Sequence, residues 1–176
     1  NKLEAVATVQ EARVVEVVEA SVEKVDSFGK DSGLFTRLLS FINTGGGEDR
    51  LWLDGHLINL SKDNKEFDKI FILDSFGTAL VSTDENLLGS DFSQSDFFLI
   101  GKEKSKLFTT KLLDENGRPI LYISAPIISD SRILGVLVTQ YNIEVLSAVT
   151  KLFATGLGDT GETVLAVKDN EENAVY

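Results

Sequence analysis

The chain has 176 residues, 43% of them hydrophobic, which is enough for one hydrophobic core but not for two full ones. Its formal net charge of −11 argues against nucleic acid and anionic lipid surfaces as partners, because both repel an acidic protein. The absence of cysteine excludes disulfides and thiolate metal sites, and it leaves the compartment open.

The N-terminal third is predicted to be helical. Over residues 3–43, apolar side chains recur in steps of three and four with acidic residues between them, which predicts one long helix. A break near residues 29–33 is left open, and glycines 45–47 end the pattern. Residues 48–60 predict a second, shorter helix, so that two helices precede any sheet. The inward side chains of this second helix are expected to be Leu51, Trp52, Leu57 and Leu60.

From residue 69 the pattern changes to short runs rich in β-branched and aromatic residues, separated by turn residues. Five strands are predicted, with the sequences KIFILD, TALVST, LFTTKLL, PILYISAPII and RILGVLVTQYNI. The links at 74–77, 114–117 and 129–131 are short and polar. They predict antiparallel hairpins between strands one and two, three and four, and four and five.

The link between the second and third strands, residues 85–106, is longer, and we call it the crossing segment. Ser93 or Ser95 could cap a short helix there, which would place Phe97 and Phe98 against the sheet. After the fifth strand, residues 145–153 predict a helix and glycines 156–161 a linker. The last run, ETVLAV, predicts a strand that lacks partners in this chain. No apolar run approaches the roughly 20 residues that span a bilayer.

The order of these pieces resembles the Cache family of extracytoplasmic sensor domains, found in histidine kinases and chemoreceptors. The resemblance covers nearly the whole chain. It is carried by the long N-terminal helix, by FILDSFGTALVST with its Asp-x-x-Gly turn, by LLGSDFSQSDFF, and by GRPILYISAPIISDSRILGVLVTQYNIEVL. It implies an α+β fold, in which a long N-terminal helix is followed by a PAS-like five-stranded antiparallel sheet with the crossing segment laid over it.

The resemblance also implies a division of the chain. Residues 1–66 would form a helical region, residues 67–155 a distal sensor module, and residues 156–176 a linker and the start of a membrane-proximal module. Because the chain begins at Asn1 without Met or a signal-like segment, we expect a piece of a longer protein.

The function implied is extracytoplasmic small-molecule sensing in a transmembrane receptor. A sensor histidine kinase is the first expectation; a chemoreceptor, or a structural and dimerising module without a ligand, is the alternative. The module would bind its ligand between the sheet and the crossing segment, and the long helix would carry the change toward the membrane. The domain would be non-catalytic and tethered through segments outside this chain, and residues 3–43 could form a homodimer.

The candidate ligand-binding residues lie in the crossing segment and on the last three strands. Alternation places Tyr122 and Ser124 on one face of strand four, but it does not indicate which face lines a pocket. The predicted site consists of Phe97, Phe98, Lys102, Phe108, Tyr122, Ser124 and Gln140, with Lys102 or Lys111 available for charge.

The resemblance bears on the ligand as well. Cache sensors that bind amino acids use an Arg and aromatic cluster in the crossing segment and an Asp late in strand five. Here Ser95 stands in place of the Arg, Phe97 and Phe98 in place of Trp and Tyr, and Gln140 in place of the Asp. Since the partners of an α-carboxylate and an α-ammonium are missing, an amino acid is disfavoured. A small anionic or largely apolar ligand is expected instead.

Plainer interpretations exist for these residues. Phe97 and Phe98 could be ordinary core, the lysines of the crossing segment a solvated turn, and His56 a surface residue. Signatures of enzymes are missing, since there is no Gly-x-Ser-x-Gly elbow, no phosphate loop and no zinc-spaced His pair. The glycines at 156, 158 and 161 have the spacing of a dinucleotide-binding fingerprint. That fingerprint requires a strand before the glycines and a helix after them, whereas these glycines precede a predicted strand. No catalytic residue, metal or cofactor is expected.

Overall fold

The computed structural model describes residues 2–154, 167–168 and 174–175. Three helices, α1 (Lys2–Gly29), α2 (Ser32–Thr44) and α3 (Gly47–Asp63), precede the sheet. Its strands are β1 (Phe67–Asp74), β2 (Ala79–Ser82), β3 (Lys106–Leu113), β4 (Pro119–Ser129) and β5 (Arg132–Tyr141). Helix α4 (Asp96–Leu99) lies in the crossing segment and α5 (Ile143–Ala154) follows the sheet; β6 (Val167–Lys168) pairs antiparallel with β7 (Ala174–Val175). The predicted α+β fold is confirmed.

The first helical stretch is divided, so three helices and not two precede the sheet. Helix α1 ends at Gly29, which lies so close to the carbonyl of Pro126 that a Cβ would collide with it. Asp31 then caps α2, because its Oδ1 accepts a hydrogen bond of 2.6 Å from the amide of Leu34. Gly45, with φ of +66°, ends α2 in the left-handed conformation. None of the helices in the described residues is long and apolar enough to cross a membrane.

The inward side of helix α3 was predicted only in part: Leu57 is buried as expected, but Leu51 is not, and the buried Leu53 was missed. Its inward face carries Asp49, Leu53 and Leu57, which follow one another at intervals of four residues. Leu51 points away from this face and is 74% exposed, so the prediction was wrong for it. Trp52 and Leu60 are partly buried and pack against the core beneath the helices.

The sheet has the strand order β2-β1-β5-β4-β3, and all neighbours are antiparallel. The three predicted hairpins are confirmed. The pairing of β1 with β5 was not predicted; it joins Phe67 to Tyr141 and Phe71 to Val138. This pairing places β5 in the middle of the sheet, between β1 and β4. Strand β4 carries Tyr122 and Ser124, two residues of the candidate site.

Both faces of the sheet are buried. Helices α1, α2 and α3 cover one face, where Ile72, Ile123 and Leu137 belong to the larger core. The crossing segment covers the other face, which carries Phe71, Tyr122 and Val138. Because both sides of β1, β4 and β5 are buried, these strands read as nearly continuous apolar runs, in which alternation between the faces is hard to see.

The turn between β4 and β5 contains two non-glycine residues with positive φ, Asp130 at 46° and Ser131 at 64°. A two-residue hairpin turn of this kind favours Asn-Gly. We expect Ser131→Gly to stabilise the fold by roughly 0.5–1 kcal/mol, since relief of the left-handed strain exceeds the added entropy of the unfolded chain. Urea unfolding would measure this change. An unchanged or lower midpoint would contradict it, and Ser129→Gly, in the adjoining strand, should destabilise.

Candidate functional site

The crossing segment, whose observed extent is 83–105, first runs beside β2 and then turns over the sheet. The amide of Ala79 donates to the carbonyl of Ser90 at 3.0 Å, and the amide of Phe92 donates to the carbonyl of Gly77 at 2.8 Å. These bonds hold the entry to the segment against the β1–β2 hairpin. Ser95 is then the N-cap residue of α4, although its side chain makes no capping hydrogen bond. Of the two predicted capping residues, Ser93 and Ser95, the second therefore stands at the N-cap position, but without the predicted side-chain hydrogen bond.

An aromatic cluster lies between the crossing segment and the sheet. Phe97 is at its centre: its ring centroid lies 4.7 Å from that of Tyr122, 5.5 Å from that of Phe92 and 6.4 Å from that of Phe71. The rings meet at tilted and edge-to-face angles, which suit their quadrupoles. Phe98 and Phe108 are buried in the same cluster. The space directly above this face of the sheet is thus occupied by the protein's own rings.

A buried hydroxyl group faces this cluster without a hydrogen-bond partner. Ser124 lies two residues after Tyr122 on β4; its side chain is fully buried and its Oγ has no partner. Gly101, just after α4, packs directly over it, and a Cβ on Gly101 would collide with Ser124 Oγ and with the carbonyl of Phe97. Burial also raises the pKa of the Tyr122 hydroxyl. An unpaired buried hydroxyl is costly, so it calls for an explanation.

Two lysines lie at the margin of the cluster. The Nζ of Lys102 is 4.5 Å from the ring centroid of Phe98, and the Nζ of Lys106 is 5.7 Å from that of Phe108. Within the described part of the chain, neither ammonium group has a carboxylate at ion-pair distance. The margin is therefore cationic in a protein whose overall charge is strongly negative.

Gln140 lies at the edge of the site. It is the cross-strand partner of Tyr122 and shares its face of the sheet, but it is only partly buried. Beyond it is a small polar groove, where Arg118 pairs with Asp114 at 2.8 Å and with Glu144 at 3.2 Å. These ion pairs tie the β3–β4 turn to the start of α5.

All seven predicted residues therefore lie on one side of the sheet or in the segment that covers it. Lys111 does not belong to this group, because it is exposed on the edge strand β3. Sequence reasoning missed Phe71, Phe92 and Gly101. Phe71 could not be assigned to a face because β1 is apolar on both sides, and Gly101 carries no local signal of its packing against β4.

His56 lies elsewhere, on the helix side of the sheet. Its ring stacks on Trp52 with centroids 4.6 Å apart, and burial lowers its pKa while the charge of Asp31 opposes that effect. Among the described residues, no group of three or more His, Cys, Asp or Glu could hold a metal ion. The chemistry that the site offers is apolar contact, one buried hydroxyl and a cationic margin.

Comparison of the sequence with protein-family models gives no match, and comparison with curated proteins gives none at a significant level. Comparison with solved structures gives several. The sensor domain of the histidine kinase DctB from V. cholerae is similar with a TM-score of 0.70 and 17% identity; the match covers 86% of this chain and 58% of that domain. The E. coli DcuS sensor domain has a TM-score of 0.58 and 12% identity; the match covers 80% of this chain and 98% of that domain.

A third similar structure is the ligand-binding domain of PctC, an amino-acid chemoreceptor of Pseudomonas aeruginosa PAO1, in complex with GABA. Its TM-score is 0.53 at 19% identity, with 85% of this chain and 66% of that domain covered. The chain thus has the fold of sensor domains of histidine kinases and chemoreceptors, as the resemblance implied, and it spans less than two thirds of the DctB domain. The expectation that an amino acid is disfavoured as a ligand is not borne out, since a domain of this fold is solved with GABA.

Proposed function

We propose that this chain is the extracytoplasmic small-molecule sensing domain of a transmembrane receptor, and that the parent protein is a sensor histidine kinase. The observation that carries the proposal is the unpartnered, fully buried hydroxyl of Ser124 beneath the crossing segment. A polar group of this kind among aromatic side chains is what a ligand site supplies for orientation. The domain itself is proposed to be non-catalytic.

The ligand we propose is a small organic molecule with an apolar body and an anionic group. The aromatic cluster suits the apolar body, Ser124 offers a donor or acceptor, and Lys102 and Lys106 offer charge at the margin. Carboxylic acids and amino acids both fit this description. Because Phe97 fills the centre of the cluster, the ligand would enter as the crossing segment and this ring move aside.

Two experiments test the sensing function, native mass spectrometry of the purified domain and a thermal-shift screen. The screen contains small mono- and dicarboxylates, amino acids including GABA, amines and sugars. Binding to the folded state at one hundred times the Kd should add about 2.7 kcal/mol of stability and raise Tm by several degrees. The shift should grow with ligand concentration. If nothing in these classes shifts Tm or is retained in the mass spectrum, the sensing proposal is wrong.

Lys102 and Lys111 give a matched pair of variants with which to test how a ligand found in this screen is bound. Lys102→Ala should weaken its binding about tenfold, because a charge-assisted contact is lost. Lys111→Ala removes the same charge from the exposed edge strand and should leave binding unchanged. Equal losses in the two variants would indicate general electrostatic attraction rather than a site beside Phe98.

A second candidate function is a structural or dimerising module that binds no ligand. The packing of Phe97 and Phe98 between the crossing segment and the sheet favours this alternative, since these rings already fill the space that a ligand would use. Helix α1 exposes Val9 and Val15, which could contribute to a homodimer. A negative screen together with a dimer in sedimentation experiments would support this alternative.

We also propose a division of the chain that corresponds to the sensing function. Residues 1–66 form the helical region, residues 67–155 the ligand-binding module, and residues 156–176 a linker with the start of a membrane-proximal module. The first boundary is supported by the end of α3 at Asp63 and the start of β1 at Phe67. Of the last run, ETVLAV, only Val167 lies within the described residues, and it pairs with Val175, so the prediction that this run has no partner strand in the chain was wrong for it.

A further inference from the structure

Helix α1 is joined to the rest of the domain by polar side chains near its C-terminal end. Ser21 Oγ lies 3.4 Å from the hydroxyl of Tyr141 on β5, and Lys24 forms an ion pair with Glu66 in the link before β1. Asp26 makes a contact of a different kind. Its Oδ1 accepts a hydrogen bond of 2.5 Å from Ser105 Oγ, at the end of the crossing segment.

The crossing segment between the aromatic cluster and Ser105 is held as one hydrogen-bonded piece. The amide of Lys102 donates to the carbonyl of Phe98 at 3.1 Å, and the amides of Glu103 and Lys104 donate to the carbonyl of Ile100 at 2.9 and 3.1 Å. A displacement of Phe98 or Gly101 away from the sheet therefore moves Ser105 as well. Gly101 is where such a displacement would start, because it packs directly on Ser124.

Asp26 is suited to hold Ser105. It is half-buried, and Lys30, which directly follows the helix, donates to its Oδ2 at 2.6 Å, which orients the carboxylate. Burial raises the pKa of Asp26, but the hydrogen bonds from Lys30 and Ser105 together with the charge of Lys30 outweigh it, so the pKa is lowered overall. The carboxylate is thus kept in its charged form, which is the stronger acceptor.

We propose that the hydrogen bond between Asp26 and Ser105 couples the ligand site to helix α1. Movement of the crossing segment over Ser124 changes the position of Ser105, and the bond passes this change to the last turn of α1. The inference rests on the proposed sensing function, because it assigns the contact through which a ligand acts. It makes Ser105 a positioning residue that touches no ligand itself.

The coupling can be tested without a ligand, by moving the crossing segment with a mutation. Gly101→Ala adds a Cβ that collides with Phe97 and Ser124 and forces the segment outward. Hydrogen exchange, read by mass spectrometry, should then show amide exchange at the C-terminal end of α1, residues 24–29, about five- to tenfold faster. When Ser105→Ala is also present, Gly101→Ala should change this exchange by less than about twofold relative to Ser105→Ala alone.

Lys30→Ala is the matched control, because it removes the other partner of Asp26 and leaves the Ser105 contact in place. In that background the effect of Gly101→Ala on α1 should persist. Ser124→Val is a second, milder perturbation from beneath Gly101, for use if Gly101→Ala does not fold. An equal effect on α1 with and without Ser105, or no effect on α1 from either perturbation, would overturn the coupling. Since no ligand is used, neither result bears on whether the domain binds one.

Discussion

Phe97→Ala is expected to lower the free energy of unfolding by about 3–5 kcal/mol, the cost typical of removing a buried phenylalanine. The ring is 5% exposed and lies at the centre of the aromatic cluster, in contact with Phe71, Phe92 and Tyr122. Its loss would leave a cavity between α4 and the sheet. Guanidinium unfolding followed by the fluorescence of Trp52, the single tryptophan of the chain, would measure the change.

Phe76 provides the matched control for this experiment. Its side chain is 78% exposed at the β1–β2 turn, so Phe76→Ala should change stability by no more than about 0.5 kcal/mol. In the Phe97→Ala variant, toluene should recover part of the lost stability, because a preformed apolar cavity binds a ligand of matching shape. A loss below about 1 kcal/mol would mean that the ring does not pack as described.

Gly77→Ala is expected to cost about 3 kcal/mol or more, for two reasons that add. The residue has a φ of +94°, a conformation that costs an L-residue about 1–2 kcal/mol. A Cβ there would also lie 2.6 Å from Cα and 2.7 Å from the amide nitrogen of Ser93. Because this is backbone at the entry to the crossing segment, it cannot move without breaking the hydrogen bond from Phe92 to Gly77.

Gly117→Ala separates these two contributions. Gly117 ends the β3–β4 turn in the way that Gly77 ends the β1–β2 turn: in each, an Asp Oδ1 accepts from the amides two and four residues later. Its φ is +74°, but nothing lies within 4 Å of a Cβ. The variant should therefore cost only about 1–2 kcal/mol. Equal losses of stability for the two variants in thermal unfolding would show that backbone strain alone, without the contact to Ser93, accounts for the effect at Gly77.

Local patterns were enough to predict the strands and hairpins, because both depend on residues close together in the chain. The turn residues around Gly77 and Gly117 fixed two hairpins, and the run of β-rich residues fixed the strand count. The pairing of β1 with β5 depends on contacts between distant residues, for which a single sequence has no signal. The division of the first helix was only partly predictable, since it also requires the close approach of Gly29 to β4.

The candidate site could be predicted as a set of residues but not as a geometry. The seven residues came from the crossing segment and from alternation in the strands, and all lie on one side of the sheet or in the segment that covers it. Which face they would share could not be predicted, because Ile123 and Tyr122 are both buried, on opposite sides. The unpaired hydroxyl of Ser124 depends on the packing of Gly101, which no local pattern reveals.

The pairing of β1 with β5 also has a kinetic consequence. During synthesis, the β1–β2 hairpin emerges long before its central neighbour, since Phe67 must wait for Tyr141 to complete the sheet. Until then, β1 presents an open, apolar edge on the side where β5 will add. Non-local pairings of this kind slow folding and leave strand edges open to other chains. The nascent domain is therefore most prone to aggregate between the emergence of residue 74 and that of residue 141, when β5 is complete and can pair with β1.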